Sequence, residues 1–301
     1  ASTAFRANAV KIKPTFFADD LGVQNGAGTK RPQSTTKQRS AKAKLRARRV
    51  ALLARQHKPA ARALFKTGVA PQQAYGASIV GPDSVELKRA VGNATAAAGG
   101  CGTQPCATTL IATRIGQEHH PKVSLLLLQI ALWQKLWARA KEEGEESTQQ
   151  IRRAWAKELS KQNREAKSRK KGKRLSQPTG PISGTIAVLR KARWKPAAPD
   201  RWIEPNGAAA AELGSTPSAA AEISNFVKLA LIDETWKDAA QHFAGKGLEQ
   251  GTPLLDPVRK QIQRYRKAAA HTHANALEAV SCGGVWCGER AKAEDKKRCP
   301  L

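Results

Sequence analysis

A chain of 301 residues carries 52 Lys and Arg against 24 Asp and Glu, a formal charge of +28. That balance excludes the ordinary profile of an enzyme for small acidic metabolites and places the chain with proteins that bind polyanions. Hydrophobic residues make up 41% but aromatics only 5%, so the cores are expected to be small, Ala-rich and helical.

Residues 1–36 read as short extended pieces and loops. Val10-Lys11-Ile12-Lys13 alternates with period two, Pro14 interrupts it, and Gly22, Gly26 and Gly28 punctuate the stretch before the first helix. This is the short β remnant of an otherwise mainly α chain, built of irregular helical bundles with disordered basic or Ala-rich linkers. Lys37 to Gln56 lacks Gly and Pro and predicts a helix on which Ala41, Leu45 and Leu52 share a face, with cations covering the rest. Pro59 opens a second helix that runs through Phe65 and ends at Gly68. Asp83 or Ser84 is the expected N-cap of a helix from Val85 to Ala98, which closes a basic helical region at 37–98.

A helical core with a basic tail is assigned to 99–177. It contains a helix from His120 to Glu143, apolar over much of its circumference, and one from Glu146 to Lys171 carrying Ile151, Trp155 and Leu159. Ile182 to Trp202 reads as an extended Trp/Pro segment lying over a helical surface, and Ala208 to Ala221 as a flexible linker, so 178–218 is assigned as linker. Helices over Ala219–Asp233, Trp236–Ala244 and Asp256–Val280 fill the last region, 219–301. The most apolar run, Val123 to Leu132, is too short to cross a bilayer, and no membrane partner is expected. The chain contains no Met, even at position 1, which is read as the mark of a piece of a longer reading frame.

The sharpest signal is a stretch without acids. Between Asp20 and Asp83 there is no Asp or Glu, while Lys37, Arg39, Lys42, Lys44, Arg46, Arg48, Arg49, Arg55 and Lys66 all fall inside. Like charges three or four residues apart repel, so a one-sign field this dense costs folding energy until a polyanion neutralises it. These residues are the candidate phosphate contacts, with Arg169, Lys170 and Lys171 as a second run. Phe65 and Tyr75 are expected in the core rather than stacked on bases.

No active site is convincing. Phe17-Ala18-Asp19-Asp20 matches the aromatic-x-Asp-Asp of polymerases, where two carboxylates hold Mg²⁺, but a Gly-rich stretch comes at once after it. His119-His120 and His271-x-His273 lack a catalytic partner and read as surface or capping residues. Five cysteines do not make a secreted disulfide scaffold, so a reducing compartment, nuclear or cytoplasmic, is expected. No small-molecule substrate is evident.

The order Asp20-Leu21-Gly22-Val23, basic helix, Lys66-Thr67-Gly68 to Pro71, Tyr75-Gly76 and Glu86-Leu87-Lys88-Arg89-Ala90 resembles the segment after the catalytic palm of non-LTR (LINE-type) retrotransposon reverse transcriptases. The Ala- and Arg-rich versions of dinoflagellate genomes are the most similar. Leu136-Trp137, Trp194-x-Pro196-x-x-Pro199-x-x-Trp202 and Gly283-Gly284-Val285-Trp286 resemble the same family's helical region. The resemblance puts Asp19-Asp20 on the palm-closing element and not on the catalytic pair. It implies template-primer binding by a non-catalytic, thumb-like region, RNA or DNA being the partner. Mg²⁺ would belong to the parent polymerase, and this stretch would need no cofactor of its own. Cys299-Pro300-Leu301 looks like the opening of the family's Cys-Pro-x-Cys knuckle, so Cys299 would bind zinc only in a longer chain. The alternatives are a free-standing basic RNA- or DNA-binding protein and the inactive product of a decayed element.

Overall fold

The computed structural model describes residues 17–20, 23–26, 34–99, 106–167, 178–207, 210–213, 217–242, 245, 248–249 and 251–282. The chain is mainly α. An antiparallel pair, β1 (Phe17–Asp20) and β2 (Val23–Gly26), sets Asp19 opposite Gln24 and Asp20 opposite Val23. It is followed by α1 (Ser34–Gln56) and α2 (Lys58–Leu64). Gly68 does not end the second helix as expected. The chain widens there into a π-turn, Phe65–Val69, and continues as α3 (Ala70–Ala74) and α4 (Ala77–Val80). Helix α5 (Ser84–Ala97) starts where the sequence places it. The Asp83 carboxylate accepts from the N–H groups of Val85 and Glu86, and Glu86 accepts in return from the Asp83 N–H.

Helix α6 (Ala107–Arg114) has no counterpart in the sequence reading. Thr108, Thr109, Ile111 and Thr113 are weak helix formers, and only burial of Leu110, Ile111 and Ala112 holds them helical. Two 23-residue helices come next, α7 (Pro121–Glu143) and α8 (Glu145–Lys167), joined by Gly144 alone. Gly144 has φ 111°, open to glycine and strained for any other residue.

The segment assigned as linker is part of the core. Pro181–Lys191 is helix α9, not an extended piece. Beyond it β3 (Lys195–Pro196), β4 (Arg201–Ile203) and β5 (Ala210–Glu212) form a small antiparallel sheet in the order β3-β4-β5. Trp194, Trp202 and Leu213 are buried. The prolines supply acceptors: Trp133 Nε1 donates to Pro199 O (2.8 Å) and Trp155 Nε1 to Pro196 O (3.4 Å), with the two indoles 4.9 Å apart. Helix α10 (Pro217–Ala240) is continuous where two helices were expected, and it absorbs the Ala-rich run after 217. The expected helix from Asp256 to Val280 is two, α11 (Asp256–Lys267) and α12 (His271–Ser281), broken at Ala269 with φ 55°.

Two hydrophobic clusters hold these elements. The larger joins α7, α9 and α10 with Trp155, Trp194 and Trp202, and α7 is its centre, as its sequence predicts. The smaller joins α1, α2 and the π-turn to the C-terminal half of α5, to α6 and to Cys282. Leu87 and Ala90 of α5 belong to the first cluster and Ala94 and Ala97 to the second, so the helix is shared. Described residues of the segments 37–98, 99–177, 178–218 and 219–301 therefore meet in common cores. Gln129, buried on α7, bridges two glycines: its amide nitrogen donates to Gly184 O (3.1 Å) and its oxygen accepts from Gly81 N–H (3.0 Å).

Candidate nucleic-acid interface

Helix α1 is oriented by its smallest side chains. Ala43, Ala47, Val50 and Ala54 recur at i, i+4, i+7 and i+11 and are all buried, the last three in one cluster with Ala94 and Ala97 of α5. Alanine on both sides lets the two backbones approach closely. The face of Ala41, Leu45 and Leu52 is the opposite one and lies in water, Leu45 57% and Leu52 62% exposed. The two leucines mark an apolar face in the sequence, and the structure reverses it.

Packing this way turns the cations outward. Lys37, Lys42, Lys44, Arg46, Arg48, Arg49 and Arg55 are all exposed. Lys37, Lys44, Arg48 and Arg55 stand at i, i+7, i+11 and i+18, one straight stripe of roughly 27 Å at the helical rise. Lys42, Arg46 and Arg49 form a second stripe on the other flank. Leu45 and Leu52 run between the stripes. Among the described residues, no carboxylate pairs with any of these seven cations.

The remaining candidates separate from this face. Arg39 is committed internally: its guanidinium lies 4.2 Å above the Tyr75 ring and donates to Tyr75 O (3.4 Å). Tyr75 is 51% exposed and not in the core, whereas Phe65 is 1% exposed and is. Lys66 belongs to another feature, a cavity of about 230 Å³ lined by Phe65, Pro71, His119, Pro121 and Leu128. Arg169, Lys170, Lys171 and Cys299 lie outside the described residues.

His120 caps α7, its Nδ1 accepting from Lys122 N–H (3.2 Å), and is 2% exposed. Burial, with Lys122 and Lys191 nearby, pushes its pKa down to about 3. His119 is lowered as well, by burial and then by Lys66. Cys106 and Cys282 are free and buried, and burial raises the Cys282 thiol to about 11, which keeps it protonated and unreactive. Among the described residues no three His, Cys, Asp or Glu side chains gather as a metal site. No described helix is long and apolar enough to cross a membrane.

Sequence reasoning missed one concentration of charge. Arg62, Arg114, Arg259 and Arg266 come from α2, α6 and α11 and converge around Glu278 of α12. Arg62 belongs to the acid-free stretch and Arg259 and Arg266 to a basic run on α11, but nothing in either run shows that they meet Arg114 and Glu278. No protein-family model, curated protein or solved structure matches this chain.

Proposed function

We propose that the chain binds RNA or DNA through its phosphates, along the outer face of α1, as the non-catalytic, thumb-like portion of a retroelement reverse transcriptase. The observation that carries the binding reading is the pair of cationic stripes, unpaired among the described residues, on a helix fixed to the core by its other face. A rigid row of lysines and arginines, without carboxylate partners among the described residues, stores repulsion that a phosphate backbone relieves, with release of condensed counterions. The stripe of roughly 27 Å matches about eight base-pair steps of duplex at 3.4 Å each. Such contacts position a strand without reading its sequence. The reverse-transcriptase part of the reading rests on the order of motifs from Asp20 to Ala90 and the later Trp/Pro elements.

Binding to duplex and to single strands is expected to be tight at low salt and poorly selective. With six or seven phosphate contacts the log-log salt slope on duplex would be about −5 to −6. Replacing Arg46, Arg48 and Arg49 together by Gln should flatten it by roughly 2 to 3 units. An unchanged slope in that variant overturns the placement on α1.

A further inference from the structure

The cluster around Glu278 lines a cavity of about 210 Å³ between α2, α6, α11 and α12, walled by Arg62, Arg114, Arg259, Arg266, Glu118 and Glu278. Glu278 is 2% exposed and anchors the group: Arg114 Nε lies 2.8 Å and Arg266 Nη2 3.1 Å from its oxygens, with Lys58 and Arg62 each at 3.5 Å. One buried carboxylate needs one or two cations, and this one has four. Arg114 also donates to Ala98 O (2.6 Å), and Arg259 donates to Ala112 O. Arg62 is held less closely than Arg114 and Arg266: its Nη2 pairs with Glu278 at 3.5 Å, and its buried Nε has no hydrogen-bond partner among the described residues. Burial lowers its pKa, Glu278 opposes that, and Arg266 and Arg114 add to the lowering.

Arg259 also pairs with Asp256 (3.5 Å), so five cations, Lys58 included, face three carboxylates and leave an excess of two positive charges around the cavity. We propose that this cavity is an anion site for a phosphate dianion, free or as the terminal phosphate of a strand, held by the guanidinium of Arg62 together with Arg266 and Arg259, which line the same cavity. A planar guanidinium presents two parallel N–H groups to two phosphate oxygens, and a dianion neutralises the excess. The site is separate from the stripes on α1 and does not depend on them.

The test uses the full chain and inorganic phosphate at about pH 7.5, where phosphate is mostly dianionic, by calorimetry and thermal unfolding against chloride at equal ionic strength. Phosphate should bind one per chain and raise Tm where chloride does not. Arg62→Gln should weaken it by about tenfold or more. Glu118→Gln, at the exposed mouth, should strengthen it about threefold by removing a like charge, an effect opposite in sign to any structural damage. Phosphate acting no differently from chloride, or an unchanged affinity in Glu118→Gln, overturns the site, and the second result decides even where Arg62→Gln does not fold. A 5′-phosphorylated oligonucleotide preferred over its 5′-hydroxyl twin, with the preference lost in Arg62→Gln, assigns the ligand to a strand end. Equal affinity for the two, with inorganic phosphate still bound, assigns it to a free anion. The Arg46, Arg48 and Arg49 triple Gln variant should bind inorganic phosphate as the parent does, which separates this site from the α1 interface.

Discussion

At the scale of single residues, the buried polar groups carry the sharpest consequences. His120 is held neutral, with its pKa lowered from 6.5 to about 3. The unfolded chain therefore binds a proton that the folded chain refuses. Stability attached to His120 is complete above about pH 6.5 and drains as pH falls toward 3, by roughly 1 kcal/mol per unit. His120→Asn keeps an N-cap acceptor without the titration. Urea unfolding at stepped pH should show that variant with a shallower decline between pH 6.5 and 3. Gly184 makes the opposite kind of demand. A Cβ there would strike the Gln129 amide, which is pinned between Gly81 and Gly184 by a hydrogen bond on each side. Gly184→Ala should cost about 1–3 kcal/mol by overpacking, read as a lower denaturant midpoint.

At the scale of elements, α1 depends on small residues rather than on large ones. Its contact with α5 is alanine against alanine, so close approach replaces side-chain bulk. Ala94, 0% exposed, has no space for growth, and Ala94→Leu should destabilise by about 1–3 kcal/mol while pushing α1 off its seat. Leu52→Gln, on the water side of the same helix, should leave stability within about 0.5 kcal/mol. Equal losses from the two substitutions would show that α1 packs on its leucine face after all. The break between α11 and α12 works in the same way. Ala268, Ala269 and Ala270 favour helix, yet the chain turns there, and the turn lets Arg266 reach Glu278 and brings the Tyr265 and His273 rings to 5.6 Å. Contacts made across the turn outweigh local preference.

For the molecule as a whole, Glu278 ties the C-terminal helices to the N-terminal ones. It meets Lys58 and Arg62 of α2, Arg114 of α6 and Arg266 of α11. Burial alone would raise its pKa, but Arg114, Lys58 and Arg266 together hold it below the ordinary 4.5. Its contribution is therefore present above about pH 4.5 and lost as pH falls through the lowered value. Glu278→Gln should destabilise by about 3 kcal/mol, because four cations are left facing one another. The loss should appear in the whole unfolding transition rather than in a separate C-terminal step, since Cys282, at the end of α12, is buried in the cluster that holds α1 and α2.

The sequence by itself determined that the chain is mainly helical, that α7 is the centre of the core, and that a helix begins at an N-cap at Asp83 or Ser84. Each comes from short-range patterns: the run of leucines and tryptophans, and a capping Asp or Ser just before a helical stretch. It also located the cationic stretch, because missing acids are visible without a fold. Which side of α1 faces water was decided only by tertiary structure. Leucines at 45 and 52 outrank alanines in hydrophobicity, but alanines at 47 and 54 permit a closer contact with α5, and that contact prevails. Tertiary structure also turned the Trp/Pro stretch into core, because indoles on α7 and α8 needed the carbonyls of Pro196 and Pro199. The arginine cavity was invisible for a related reason: its four guanidiniums are separated by up to 204 positions in the chain, between Arg62 and Arg266, and only the packing of α2, α6, α11 and α12 brings them to one cavity.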